Sequence, residues 1–126
     1  MFTLRLLLAT LFAVNGLAML AVPEGWFLRV PGVADTGPFN PHFVRDVGAA
    51  YLLSGVAFLA LALAPATARP YALAGAAYLL AHAVIHLVEA ALGQQTLSHL
   101  LADLPAVFAL PALAAWSAWR APRSIV

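Results

Sequence analysis

The chain has 126 residues, of which 64% are hydrophobic and only 9% are charged, and its formal net charge is +1. A soluble domain carries about 25% charged residues, so the composition favours an integral membrane protein over a water-soluble one. The length fits one domain. The small net charge provides no basic surface for nucleic acid. The absence of cysteine excludes disulfides, thiolate metal sites and a catalytic thiol.

Four apolar runs are each long enough to cross a bilayer, which takes about 20 residues as an α-helix. The predicted helices cover about residues 4–22, 42–64, 71–92 and 99–119. The first run begins like a signal peptide, with Arg5 before an apolar stretch, but it is long enough to span and we interpret it as a helix. Residues 1–126 are therefore predicted to form a single all-α domain, an integral membrane four-helix bundle.

Two features modify this simple picture. The connection 23–41 is too polar to span, and its Trp26-Phe27-Leu28 sequence predicts a loop that lies against the membrane face. Pro105 and Pro111 lie inside the fourth helix, where proline removes a backbone hydrogen bond. We therefore expect a kink beside Asp103.

The arginines predict the orientation of the bundle. In a four-pass chain, four of them lie on the side of both termini, namely Arg5, Arg69, Arg120 and Arg123. The other two, Arg29 and Arg45, lie on the opposite side. Because cytoplasmic loops carry an excess of basic residues, this distribution predicts that both termini are cytoplasmic and that the 23–41 loop is external.

The third predicted helix carries one polar stripe. On a helical wheel, His86 lies about 40° from His82, and Glu89 lies about 20° from His82 on the other side. Tyr78 falls within the same arc, whereas the rest of the helix is dominated by aliphatic and small residues. Such a stripe is expected to face protein rather than lipid.

Two other helices begin with the same polar spacing. His42 and Asp46 open the second predicted helix, and His99 and Asp103 open the fourth, so each pair shares a helix face. At the rise of an α-helix, both aspartates lie about 6 Å inside the outer helix ends, and Asn15 of the first helix lies about 10 Å inside. All four helices therefore place polar groups in the outer half of the bundle.

A metal ion is the first explanation for these groups, since each ionisable side chain costs about 2.5–3.5 kcal/mol at the centre of a membrane helix. His82 and His86 have the spacing that lets two imidazoles reach one ion. Glu89 can complete a 2-His-1-carboxylate set, and His99 with Asp103 can close the coordination from the next helix. This donor set suits zinc, iron, manganese or copper. The residues expected to surround the ligands are Asn15, His42, Arg45, Asp46 and Tyr78.

A metal-free polar pocket is the second explanation. Arg45 can pair with Asp46, Glu89 or Asp103, and the pocket would then belong to an accessory membrane subunit or to a quinone- or lipid-binding module. The inner half of the bundle holds no Asp, Glu or His, and its polar residues are Ser117, the terminal arginines and a few other Ser and Thr hydroxyls. A transmembrane proton channel is therefore not expected.

A b-type haem is the third explanation. Haem iron in helical membrane proteins can be held by histidines from two helices, and the candidates here are His86 and His99. None of the three explanations identifies a substrate or a reaction.

The segment FNPHFVRDVGAAYLLSG, followed by a helix with His-x-x-x-His-x-x-Glu, resembles small bacterial four-helix inner-membrane proteins of unknown function, similar to the DoxX-like group. The resemblance covers most of the chain and implies a four-helix membrane bundle without an established chemistry. We therefore expect a multi-pass protein of the bacterial inner (cytoplasmic) membrane. Its expected partners are the lipid bilayer and either a second copy of the chain or a larger membrane complex.

Overall fold

The computed structural model describes residues 1–123, and these are helical apart from short connections. Along the chain they form α1 (Phe2–Ala21), α2 (Pro23–Arg29), a 3₁₀ turn (Val33–Thr36), α3 (Pro41–Leu63), α4 (Pro65–Ala91), α5 (Leu97–Asp103), a π-helical segment (Leu104–Ala109) and α6 (Leu110–Trp119). Four stretches are long and apolar enough to cross a membrane, namely α1, α3, α4 and the continuous run from α5 to α6. The prediction of an all-α chain with four helices of spanning length is confirmed.

The four long passes bring both ends of the described chain to the same end of the bundle, here called the terminal end. There Arg5 contacts the carbonyl of Ser117, 112 residues later in the sequence. The opposite end, here called the α2 end, holds α2 and the connection between α4 and α5.

The connection 23–41, predicted as a loop, is partly helical and packs into the bundle. Phe27 of α2 is buried against Met19 of α1, and Trp26 Nε1 donates a 2.9 Å hydrogen bond to Asn15 Oδ1. Trp26 and Phe27 therefore contact the bundle, and the contact of Trp26-Phe27-Leu28 with the membrane face stays a prediction. Their aromatic rings cover the α2 end of the bundle.

Prolines and an asparagine define the helix starts. Pro65 occupies the first turn of α4, where backbone N–H groups have no partner within the helix, so proline costs no hydrogen bond there. The helix therefore begins at Pro65, earlier than predicted, and continues through Pro70. Asn40 caps α3 because its Oδ1 accepts hydrogen bonds from the backbone N–H groups of His42 (3.1 Å) and Phe43 (3.2 Å).

The last pass is irregular beside Asp103, as Pro105 and Pro111 predict. Proline cannot donate a backbone hydrogen bond, and the chain widens here into the π-helical segment. Within it the N–H of Leu110 reaches the carbonyl of Pro105, five residues back. The irregularity therefore takes the form of a wide turn that separates α5 from α6.

α1 and α3 pack backbone to backbone through glycines. A Cβ at Gly16 would lie 2.5 Å from the backbone nitrogen of Leu52 and 2.6 Å from the carbonyl oxygen of Gly48. A Cβ at Gly55 would lie 2.6 Å from the backbone nitrogen of Ala13. Small residues let membrane helices approach closely enough for van der Waals packing to hold them together. This close pair forms one side of the bundle.

The terminal half of the bundle holds its largest buried cluster. Leu8, Phe12, Phe58, Leu61 and Leu79 are members of it. The rings of Phe12 and Phe58 meet edge to face with centroids 5.8 Å apart, a favoured aromatic geometry. The helices are therefore packed closely in the terminal half, and they are further apart in the α2 half.

Arg5 is buried at the terminal end, where its residue is 5% exposed. Its Nη1 donates to the carbonyl of Leu61 at 3.5 Å and its Nη2 donates to the carbonyl of Ser117 at 3.2 Å. The Leu61 carbonyl lacks a helical donor because Pro65, four residues on, has no N–H. The guanidinium thus satisfies carbonyls at the C-terminal ends of α3 and α6, where helix dipoles favour a positive charge. Arg5 is therefore part of the core as well as a marker of orientation.

Gly16→Ala is expected to destabilise the protein by about 1–3 kcal/mol, the usual cost of overpacking, because the added methyl group meets backbone atoms of α3. Gly75→Ala is the matched control, since its Cβ would lie 3.2 Å or more from Ser54, and its loss should be smaller. Unfolding of detergent-solubilised variants in SDS, followed by helical circular dichroism, measures both. Equal losses would contradict close α1–α3 packing.

Candidate metal centre

The α2 half of the bundle encloses a cavity of about 590 Å³ between α1, α3, α4 and the α5–π run. Its walls are mostly apolar, and α2 with the following residues up to Asn40 forms its wall at the α2 end. Three imidazoles and one carboxylate line it together, His82 and His86 from α4 and His99 and Asp103 from α5. The sequence analysis placed all four among the candidate ligands.

His86 and Asp103 form the shortest polar contact of this group. His86 Nδ1 donates to Asp103 Oδ2 at 2.7 Å, and each side chain is 13% exposed. With its proton on Nδ1, a neutral His86 has a lone pair on Nε2, which lies 3.3 Å from His82 Nε2. His82 Nε2–H can therefore donate to His86. The three side chains form a continuous hydrogen-bonded row from α4 to α5.

His99 brings a second imidazole to the same carboxylate. His99 Nε2 lies 3.6 Å from Asp103 Oδ2, and ligand-type atoms of His86, His99 and Asp103 all lie within 4.8 Å of one another. Ligands at about 2.1 Å from a tetrahedral ion are separated by about 3.4 Å. Side-chain movements of about 1 Å would therefore let these three residues hold one ion.

Two features outside the predicted site position His99. Gly32 has a φ of 82°, and a Cβ there would lie 2.6 Å from His99 Cε1, so only glycine fits against the ring. Thr96 Oγ1 accepts a 3.2 Å hydrogen bond from the backbone N–H of His99 and caps α5. The connection after α2 and the start of α5 thus fix this imidazole together.

Glu89 lies outside the three-residue group. Its Oε2 accepts a 2.8 Å hydrogen bond from Gln95 Nε2, and this nitrogen also lies 3.4 Å from His86 Nδ1. Glu89 lines a separate polar pocket of about 380 Å³ with Asp35 and His99. The structure therefore places Glu89 beside the group, with the amide of Gln95 between them. Sequence reasoning missed Gln95 because it lies in the connection after α4, where no helical periodicity indicates which way a side chain points.

His42 and Asp46 are not brought to the cavity. They pair with each other at 3.3 Å, with side chains 87% and 65% exposed. Val44 lines the cavity instead, since it lies about 200° around the helix from both. Arg45 Nε donates to the carbonyl of Leu20 at 3.3 Å. The structure therefore separates all three polar residues of this opening from the His86 group.

The other two expected neighbours have different positions. Asn15 lines the cavity, where its Oδ1 accepts from Trp26. Tyr78 instead packs edge to face on Tyr51, which makes the same kind of contact with His82, and both pairs of centroids are 6.4 Å apart. Sequence reasoning missed Tyr51, although its helical spacing from the cavity-facing valines of α3 could have identified it.

The haem alternative, with His86 and His99 as axial ligands, stays a prediction and would require Asp103 to move. The carboxylate of Asp103 contacts both rings, at 2.7 Å and 3.6 Å. A bis-histidine haem needs the plane of its macrocycle between the two axial imidazoles, and here that space holds the carboxylate. The geometry favours a small ion or a hydrogen-bonded network.

Asp103→Ala is expected to lower the free energy of unfolding by about 1–3 kcal/mol, because it leaves the mostly buried His86 imidazole without its partner. Asp46→Ala is the matched control, because Asp46 also pairs with a histidine four residues away but is exposed. It should cost about 1 kcal/mol or less. Denaturation of both variants in the same detergent compares them, and a larger loss for Asp46→Ala would count against the assigned pairing.

No family model matches the chain, and neither a curated protein nor a solved structure is significantly similar to it. The resemblance to DoxX-like proteins stays a prediction, and the function has to be argued from the site itself.

Proposed function

We propose that the protein binds one divalent transition-metal ion through His86, His99 and Asp103. The observation that supports this is the proximity of two imidazoles and one carboxylate from two different helices, with ligand atoms within 4.8 Å of one another. Nitrogen and oxygen donors of this kind suit zinc, iron, manganese or copper, and the 2-His-1-carboxylate combination is typical of non-haem iron(II).

Three protein ligands favour a reactive or exchangeable site over a structural one. Structural zinc sites are closed by four protein ligands, whereas catalytic sites leave a position open. All three residues line the cavity, so an open position would face it. His82 would then accept a hydrogen bond from His86 Nε2–H, as partners of ligating histidines do, and hold the ring in place. Redox chemistry or metal handling are the roles consistent with such a site.

A metal-free pocket is the second candidate function. It is favoured by the hydrogen bonds that already satisfy the polar groups, His86 to Asp103 and Gln95 to Glu89. Such a network would join α5 to α4 and leave the cavity to a quinone or lipid, either in a binding module or in an accessory subunit. Metal content separates the two candidates.

We also propose the location of the site in the cell. The four apolar helices fit a multi-pass protein, and the arginine distribution favours cytoplasmic termini in a bacterial inner membrane. The α2 end, with the cavity and its histidines, would then belong to the outer half of the membrane. A second copy of the chain or a larger membrane complex is the expected protein partner.

Protein purified without chelator should contain about one transition-metal ion per chain. His86→Ala, His99→Ala and Asp103→Ala should each reduce this content at least about tenfold, because each removes one of three ligands. His42→Ala is the matched control, because it removes an exposed histidine at the same end of the bundle. Elemental analysis by mass spectrometry provides the measurement. Metal-free wild-type protein that stays metal-free after incubation with Zn²⁺, Fe²⁺, Mn²⁺ and Cu²⁺ would disprove the proposal.

The orientation can be tested by single cysteines, since the natural chain has none. Thr36→Cys lies in the 3₁₀ turn at the α2 end, and Thr67→Cys lies in the first turn of α4 at the terminal end; both positions are exposed. A membrane-impermeant maleimide added to intact spheroplasts should label the first variant and should label the second only after lysis. The reverse pattern would place the termini outside.

A further inference from the structure

We propose that the 590 Å³ cavity binds a membrane-soluble molecule with an apolar body and an uncharged polar head, and that the head lies against the His86–His99–Asp103 group. This inference rests on the metal-free candidate of the proposed function, because it names the class and the direction of the molecule that the cavity takes up. The size of the cavity is within the range of about 300–1,000 Å³ that small-molecule sites occupy.

The walls of the cavity select an apolar body. Aromatic rings line it from three elements, Phe12 from α1, Trp26 and Phe27 from α2, and Phe43 and Tyr51 from α3. Large aromatic side chains provide contact area for rings and chains with little loss of conformational entropy. The imidazole and carboxylate groups of the lining all lie on α4 and α5, so a head that exchanges hydrogen bonds with imidazole is directed towards that side.

The charges of the lining select an uncharged head. Every basic residue of the chain other than histidine is an arginine, and none of the arginines in residues 1–123 lines the cavity. In the metal-free group, a phosphate or carboxylate head would meet Asp103 without a permanent positive charge to balance it, which disfavours an anion in a low-dielectric site. A carbonyl or hydroxyl oxygen can instead exchange hydrogen bonds with imidazole.

The packing of the helices gives such a molecule access from the bilayer. α1 packs extensively against α3 and also against α6, but it has no comparable packing against α5 or the π-helical segment. The cavity lies in this gap, since Leu11 of α1 and Ala106 of the π-helical segment both line it. Leu11 is 48% exposed, so the cavity reaches the lipid-facing surface. The α2 segment, in contrast, forms its wall towards the α2 end.

A quinone and a long-chain alcohol share the required chemistry, and a binding experiment can distinguish them. Trp26 lines the cavity, whereas Trp116 and Trp119 lie in α6 near the terminal end. In a Trp116→Phe/Trp119→Phe background, the remaining tryptophan reports on the cavity alone. A short-chain benzoquinone should quench its fluorescence with a saturable isotherm, measured in detergent micelles with metal-free protein.

Competition then defines the head group. Displacement of the benzoquinone by dodecanol, but not by dodecanoate, supports an uncharged oxygen head, whether it belongs to a quinone or to a long-chain alcohol. Saturable quenching that dodecanol does not reverse supports a quinone-type head. Displacement by dodecanoate at lower concentration than by dodecanol would overturn the proposal, because it would show preference for an anion.

A pair of alanines in the π-helical segment provides the matched variants. Ala106 lines the cavity, whereas Ala109, three residues later, does not, and both are exposed. Ala106→Phe should weaken benzoquinone binding at least about tenfold by filling cavity volume, with the metal content unchanged. Ala109→Phe should leave both unchanged. Equal weakening by the two variants would overturn the assignment of the cavity.

The same preparations separate this inference from the proposed function. Stoichiometric metal without saturable quenching would overturn the cavity proposal and leave the metal site in place. Saturable quenching in protein that takes up no metal would overturn the metal proposal and support the metal-free pocket.

Discussion

The hydrogen bond between His86 and Asp103 is the interaction on which the α2 half of the bundle depends. It is the shortest side-chain contact of the site, at 2.7 Å, and it connects α4 to the short helix α5, which has no fully buried residue of its own. In a bilayer, neither partner can turn to water when the other is removed. The pair therefore holds α5 against α4, and with it His99 and the wall of the cavity.

Much of the fold follows from hydropathy alone. Spans of about 20 apolar residues have few alternatives in a membrane, so the four long helices were predictable, and Pro105 and Pro111 indicated the irregular turn. α2 was not predictable in the same way, because a seven-residue helix carries too little periodicity and Trp26 and Phe27 suit a membrane face as well as a buried contact. The burial of Arg5 depends on carbonyls from two distant helices, which no local pattern records.

The candidate site was predictable as a set of residues but not as a set of contacts. Helical spacing placed His82 with His86, and His99 with Asp103, and the structure brings these two pairs together. Spacing could not decide which face of α3 turns towards the cavity. In the structure the apolar face with Val44 does so. The carboxylate of Glu89 accepts a hydrogen bond from Gln95, a residue of an irregular connection that helical spacing could not place.

Arg5 gives the bundle an order of assembly. The chain is made from its N-terminus, so this guanidinium is present long before the Ser117 carbonyl, 112 residues later. An arginine near the end of a membrane helix extends its charged head to the interface when it has no acceptor in the hydrocarbon, which keeps the start of α1 near the lipid head groups while the rest of the chain is synthesised. Only when α6 has been inserted does the second acceptor arrive. Packing of the terminal end is thus completed only when the polypeptide is complete. In a chain truncated before Ser117, Arg5 would lack this acceptor and α1 would lack its contact with α6.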